Sequence, residues 1–416
     1  MPKRLSLSRL ISNEAGGSLA PVLIALAVGV LLLSPFLAHV STRMLAARGA
    51  EGSLDAQYAG DSGIEYAIWR LSHDATYAAN VNLAYPGPYP APAEQIMVNQ
   101  VTTGVQSTVI TPPGWSRAAD APAGVGQGGA LAGTSNGLVY GLQGSGGTFW
   151  RYSTGTDSWL ARANAPGDPK KRDGMTVATT SSVYVLPQAK DEFWRYNVSS
   201  DSWSSPPTVA EPPKNGDKGG VLAYDNHRYI FGLFDANKDN FFTYDTWNNI
   251  WEQRADFADK LGDGMSLAFA AGYVYAFQGG NGDGFYRYNP TSDSWTTRAA
   301  APGAVSQGGS LVYTGGNYLY AFAGGGTEFW RYSLSGGTWT TPSPSPTFSV
   351  GSGGSLAYAG GDYLYAFEGG GSPNFWMYLV SSPIYDITST AGGMTTRVRV
   401  RIGGPGNATV IWWVIQ

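Results

Sequence analysis

The sequence predicts an all-β protein, a six-bladed β-propeller of four-stranded blades, joined to an N-terminal transmembrane helix and a small β-sheet module. Three observations carry this prediction. A block of about 45 residues recurs six times between Trp115 and Val380. The 416 residues include 57 Gly, 25 Tyr and 14 Trp, while only 13% are charged, a composition suited to many short strands joined by tight turns rather than to disorder. A run of 22 residues without formal charge, Leu19 to Val40, precedes the repeats.

The repeats align on a glycine step that starts the first strand of each unit. The six steps are Gly128-Gly129, Asp173-Gly174, Gly219-Gly220, Asp263-Gly264, Gly308-Gly309 and Gly353-Gly354, with second members 45, 46, 44, 45 and 45 residues apart. A small apolar strand follows, then a second strand such as Tyr318 to Phe322, then a third ending in Tyr152, Tyr196, Tyr244, Tyr288, Tyr332 or Tyr378. The first five of these tyrosines stand seven residues before Trp159, Trp203, Trp251, Trp295 and Trp339. The sixth has no such Trp after it, but Trp115 precedes the first repeat with similar flanks. The expectation is that the Trp115 strand completes the last blade and closes the ring. Asp157, Asp201 and Asp293, two residues before their Trp, are expected to cap the turn between third and fourth strands.

The N-terminal run is long enough as a helix to cross a bilayer, at ~1.5 Å per residue against ~30 Å. Lys3, Arg4 and Arg9 before it favour an inward N-terminus, although Arg43 and Arg48 follow it. Ile64, Ala67, Ile68 and Leu71 extend a helical stripe, with a helix end expected near Asn80, and Gly60 and Gly63 are expected to weaken this part. Strands are expected within Glu94–Ile110. At the other end, Arg397, Arg399 and Arg401 alternate with Val398, Val400 and Ile402, a strand with one apolar and one charged face. Thr409 to Ile415 then closes a hairpin. The division read from the sequence is a leader or cytoplasmic segment at 1–17, a long helix at 18–80 with its transmembrane part at 19–40, a β module split between 81–111 and 384–416, and the propeller at 112–383.

Two resemblances follow from these residues. The glycine pair, Tyr and Trp pattern resembles kelch repeats over about 270 residues. Gly279-Gly280, Gly324-Gly325 and Gly369-Gly370 stand where that family places its pair, whereas Pro187-Gln188 and Phe234-Asp235 depart from it. The basic leader, Gly16-Gly17, Ser18, the apolar run and the Gln57-to-Tyr66 segment resemble type IV pilin-like proteins, in particular minor pilins of the PilX type. So does the Tyr385-Asp386-Ile387 to Arg397–Val400 ending. This resemblance implies cleavage between Gly17 and Ser18 with methylation of the new N-terminus, a prepilin peptidase, and other pilin-like subunits as partners. Ser18 replaces the family's usual Phe, and Val22 replaces the Glu of major subunits.

Little catalytic chemistry is legible. With no Cys, disulfides, thiolate metal sites and a Cys nucleophile are excluded. The three His show no metal-ligand spacing, so no metal and no cofactor are expected. A net charge of −4 without a basic stripe argues against nucleic acid. Gln127, Arg172, Asp173, Lys218, Asp263 and Gln307 fall at the first-strand starts and are the candidate ligand-binding residues of a channel mouth, the alternative being a solvated rim. Tyr85, Tyr89, Trp247 and Trp412 fall outside the repeat positions and are candidates for contacts. The expectation is a non-catalytic, membrane-anchored, extracytoplasmic display or adhesion protein of the cell surface or a pilus. Residues 19–40 would meet membrane lipid, and the propeller would bind a glycan or a surface protein. The rival readings are a tethered hydrolase or lyase acting on glycans and a structural cap or spacer.

Overall fold

The computed structural model describes residues 51–83, 93–98, 100–111, 114–144, 146–169, 174–179, 181–187, 192–206, 208–212, 220–234, 240–257, 259–342, 344–403 and 407–416. The chain divides into two compact units, Met1–Pro113 with Ser381–Gln416, and Gly114–Val380.

The described residues of the first unit begin with helices α1 (Glu51–His73) and α2 (Ala75–Leu83) and strands β1 (Ala93–Val98) and β2 (Val101–Thr111). The second unit opens with β3 (Gly114–Arg117). Its first sheet is β4 (Ala130–Gly133), β5 (Leu138–Leu142), β6 (Phe149–Ser153) and β7 (Ser158–Ala161). The second is β8 (Gly174–Thr179), β9 (Ser182–Leu186), β10 (Trp194–Asn197) and β11 (Ser202–Ser204). The third is β12 (Gly220–Tyr224), β13 (Tyr229–Phe234), β14 (Phe241–Asp245) and β15 (Ile250–Gln253). The fourth is β16 (Ser266–Ala270), β17 (Tyr273–Phe277), β18 (Phe285–Asn289) and β19 (Ser294–Thr297). The fifth is β20 (Ser310–Tyr313), β21 (Tyr318–Phe322), β22 (Phe329–Ser333) and β23 (Trp339–Thr340). The sixth is β24 (Ser355–Tyr358), β25 (Tyr363–Phe367) and β26 (Phe375–Leu379), with β3 as its outer strand and Trp115 opposite Tyr378. Strands β27 (Ile384–Ala391), β28 (Met394–Ile402) and β29 (Ala408–Ile415) return to the first unit, where the order is β1-β2-β27-β28-β29, antiparallel throughout.

The predicted architecture is corrected here. Instead of a closed propeller with a transmembrane helix, the strands among the described residues form seven separate sheets of four or five strands, none of which closes on itself. Ladder hydrogen bonding stops at each sheet's edge strands, and neighbouring sheets meet through side chains and through backbone bonds between their loops, such as the Val125 N–H to the Ser372 carbonyl at 2.9 Å. Among the described residues, no helix is long and apolar enough to cross a membrane. The predicted span at 19–40 and the Gly17–Ser18 processing site lie outside the described residues, so a helical membrane anchor, and with it the membrane-anchored extracytoplasmic placement, has no support in this structure. The helix is also not continuous to Asn80. It breaks at Asp74, whose Oδ1 accepts the Tyr77 N–H at 3.0 Å and caps α2.

In the first unit, α1 lies on the sheet. Ile64, Ala67, Ile68 and Leu71 join Val105, Val109, Tyr385, Ile387, Val398, Val400 and Ile402 in one core. The Val/Ile side of the alternating β28 pattern thus faces the helix. On the other side, Arg399 pairs with Asp386 through two bonds of 2.7 Å. Gly63 is required by packing, because a Cβ there would lie 2.3 Å from Ser389 Oγ and 2.9 Å from Thr103. The glycines expected to weaken the helix are part of what seats it. Asp61 is carried into this interface at 6% exposure, and its Oδ1 has no hydrogen-bond partner. Burial, with the nearby Glu65 charge adding to it, pushes its carboxyl up to about 7.

In the second unit, six apolar clusters each draw residues from two adjacent sheets. One combines Leu131, Val139, Trp150 and Tyr152 of the first sheet with Ala357, Tyr365, Phe367 and Phe375 of the sixth, so the packing runs round all six sheets. A recurring clamp ties each of the first four sheets to the segment leaving the preceding one. Asp157 Oδ1 accepts the Ala119 N–H at 2.8 Å and the Tyr152 hydroxyl at 2.7 Å, while Trp159 Nε1 donates to the Ala119 carbonyl at 2.8 Å. Asp201 and Trp203 hold Ala163 in the same way, Asn249 and Trp251 hold Ala210, and Asp293 and Trp295 hold Ala255. These four Asp and Asn residues sit at φ between 45° and 57°, a left-handed conformation that short polar side chains tolerate. The carboxylates therefore reach across to a neighbouring sheet instead of capping their own turn. The Ala163 N–H is the main reason that Asp201 titrates below the usual carboxylate range, as the Ala255 N–H is for Asp293. The fifth sheet has Gly337 in place of the acid and keeps the Trp339 bond to Ala299 at 2.9 Å. In the sixth, Trp115 packs among Phe322, Phe329, Phe348 and Tyr378, but its Nε1 has no partner.

Two outcomes follow. Asp293→Ala removes the acceptor of two hydrogen bonds and is expected to destabilise the second unit by about 1–2 kcal/mol in urea denaturation; an unchanged midpoint would show that the clamp carries no stability. The Asp61 carboxyl, raised in the folded state above its unfolded value of 3.8, stabilises fully below that value and loses its contribution as pH rises through about 7. Asp61→Asn is therefore expected to flatten the decline of first-unit stability between about pH 4 and pH 7, read by thermal melts across that range.

Candidate functional site

The start of each first strand is the place where the repeat brings polar residues together. Gln127, Asp263, Gln307 and Ser352 each immediately precede a glycine of positive φ, namely Gly128 (86°), Gly264 (87°), Gly308 (88°) and Gly353 (83°). This register places Asp263 level with Gln127 and Gln307, with Gly264 matching the first rather than the second glycine of the other steps. The glycines are obligatory for a second reason. A Cβ on Gly264 would lie 2.0 Å from the Ser306 carbonyl, one on Gly308 2.4 Å from Gly351, and one on Gly353 2.0 Å from Gly126. Each contact is to the loop that opens the next sheet, so the backbone itself forms the rim.

Four of the sheets provide these polar residues and line one cavity of 90 Å³, and Val221 of the third sheet adds an apolar wall. Gln307 Nε2 donates to Asp263 Oδ2 at 3.1 Å. Glycines 128, 129, 264, 308, 309, 353 and 354 complete the wall. Of the predicted site residues, Gln127, Asp263 and Gln307 thus line one cavity, whereas Arg172, Asp173 and Lys218 lie outside the described residues. Ser352 was missed by sequence reasoning. Its position before Gly353-Gly354 was the available signal, hidden because Ser differs in type from Gln and Asp.

A second cavity, of 160 Å³, is lined by later residues of the first strands, including Leu131, Leu222, Leu267, Leu311, Leu356, Tyr224, Phe269, Tyr313 and Tyr358. Tyr313 and Tyr358 donate their hydroxyls to the Gly316 and Gly361 carbonyls at 3.0 and 2.8 Å. Burial, with the Asp225 charge, pushes Tyr224 up to about 12, so it stays a neutral phenol at physiological pH. The first cavity is lined by polar side chains at the glycine steps, and the second by later first-strand residues. Both are well below the ~300 Å³ usual for sites that enclose a whole small molecule. The polar cavity suits an amide, hydroxyl or similar end group, which its side-chain amides, carboxylate and backbone can bond.

Among the described residues, no cluster of three or more His, Asp or Glu side chains is arranged to hold a metal ion. His73 Nδ1 lies 3.1 Å from the Trp69 carbonyl, and the His227 backbone N–H donates to Asp225. No family model matches this chain, and no curated protein is detectably similar to it. The kelch-like and pilin-like resemblances accordingly rest on the residues quoted above.

Proposed function

We propose that this protein is a non-catalytic recognition protein, in which the six-sheet unit binds a ligand and the helix-on-sheet unit is a pilin-like carrier that associates with other pilin-like subunits. The observation that carries the reading is the convergence of Gln127, Asp263, Gln307 and Ser352, from four separate sheets, on one polar cavity with a glycine rim. Groups held by different sheets of a rigid array are preorganised for binding. The ligand would present a polar end group and lie with its remainder outside, as a glycan terminus or a loop of a surface protein does. The carrier reading is supported by an amphipathic helix laid on an antiparallel sheet into which the larger unit is inserted, between β2 and its partner β27.

Recognition is tested by saturation-transfer NMR with N-acetylglucosamine and galactose as probes. Saturable binding is expected, and Asp263→Asn combined with Gln307→Ala should weaken it at least about tenfold without moving the urea midpoint. Absence of binding by both sugars, or binding indifferent to the two substitutions, would overturn the cavity reading. The carrier reading predicts that protein isolated from its native source begins at Ser18 by N-terminal sequencing; a chain beginning at Met1 or Pro2 rejects it.

A further inference from the structure

The third repeat departs from the others at two adjacent turns, and both departures enlarge the side chains. In the turn between third and fourth strands, Trp247 stands where the other repeats have Gly155, Ser199, Thr291 and Ser335. Ile250, three residues on, replaces Ser158, Ser202, Ser294 and Thr338. Trp247 is 65% exposed and Ile250 45%. In the hairpin between the first and second strands, the same repeat carries His227 and Arg228, where the fourth, fifth and sixth have Ala271-Gly272, Gly316-Asn317 and Gly361-Asp362.

The two turns are built into one structure around the buried Asp245. Its carboxylate accepts the Trp247 N–H at 2.9 Å, the Asn248 Nδ2–H at 2.8 Å and the Arg228 Nε–H at 2.9 Å, and Arg228 closes a second bond to its other oxygen. Thr246 Oγ1 donates to the Arg228 carbonyl at 2.7 Å. The Arg228 guanidinium lies 4.8 Å from the centre of the Trp247 ring, and the His227 ring lies 5.3 Å from it, tilted by 54°. An exposed indole is thus held by its backbone and backed by a cation. The Arg228 charge is matched by Asp245, and the Asp225 carboxylate, which accepts the His227, Arg228 and Tyr229 N–H groups, leaves the patch without net positive charge.

We infer that Trp247, flanked by His227 and Asn248, is a stacking platform for a neutral pyranose of an oligosaccharide chain. The C–H face of such a ring carries partial positive charge and meets the negative face of an aromatic ring, while the imidazole and amide at the platform's edge bond its hydroxyls. A rigid tryptophan gives this contact area at little cost in conformational entropy. The lack of net positive charge favours an uncharged sugar over an acidic one. This platform is formed by outer turns of a single sheet. It shares no residue with the cavity of Gln127, Asp263 and Gln307, and neither site depends on the other.

The test uses the full chain with maltohexaose, cellohexaose and chitohexaose as separate probes, in calorimetric and saturation-transfer titrations. Saturable binding of at least one probe below about 1 mM is expected. Trp247→Ala should weaken it at least about tenfold, Trp247→Phe should retain part of it, and Leu160→Ala, at an exposed apolar residue elsewhere, should leave it unchanged. Because Trp247 is exposed, its substitution is expected to leave the thermal midpoint in place, and His227→Ala provides a second variant that weakens binding from the platform's edge. The inference is overturned if none of the three sugars binds, or if binding survives Trp247→Ala. It is equally overturned if Trp247→Ala abolishes only self-association of the protein, which would make the patch a protein interface.

Discussion

Much of the second unit depends on a single interaction, the grip of one sheet's outer turn on an alanine that belongs to the segment leaving the preceding sheet. A carboxylate or amide takes the alanine N–H and an indole N–H takes its carbonyl, so both backbone groups of one residue are satisfied by side chains some 40 positions away. The segment held in this way has left one sheet and not yet joined the next, and without partners its polar groups would be costly to bury. The same Trp rings also fill the space between sheets, as Trp159 does against Phe367 and Phe375. One turn therefore supplies hydrogen bonding, aromatic packing and the relative placement of two sheets.

The inner edge meets the same problem by another device. First strands are edge strands, and their unpaired amides face the neighbouring sheet. Ser310 Oγ accepts the Leu356 N–H, and Ser355 Oγ accepts the Leu131 N–H, at 3.0 and 3.1 Å. Glycines of positive φ then let the loop carbonyls of the next sheet approach within a distance that no side chain allows. The polar cavity is a by-product of this construction. The residue before each such glycine has a side chain with room only at the rim, and the chain has placed Gln, Asp, Gln and Ser there. The same few backbone positions serve both the packing and the site.

Legibility differed between the parts. The repeat period, the Tyr-to-Trp spacing and the two halves of the split unit were visible in the sequence, because each is a pattern of residue types along the chain. Gln127, Asp263 and Gln307 could be picked out for the same reason, as polar residues at a recurring glycine step. Ser352 could not, and the role of Asp157, Asp201 and Asp293 was misassigned. Their spacing from the Trp fits a turn cap as well as a clamp, and only the fold brings Ala119, Ala163 and Ala255 within reach. Gly63 was likewise read as a weakness of the helix, when it is the point at which the helix approaches Ser389 and Thr103.

By itself the sequence determined where strands, turns and the helical stripe fall, since these follow from local periodicity and from residues such as Gly, Asp and Asn that tolerate unusual backbone angles. Tertiary structure alone decided that the sheets stay separate instead of closing on themselves, which groups share a cavity, and that Arg228, Asp245 and Trp247 form one assembly. The physical reason is that these outcomes depend on contacts between residues distant in sequence, whose geometry is set by how whole sheets pack and not by any local pattern.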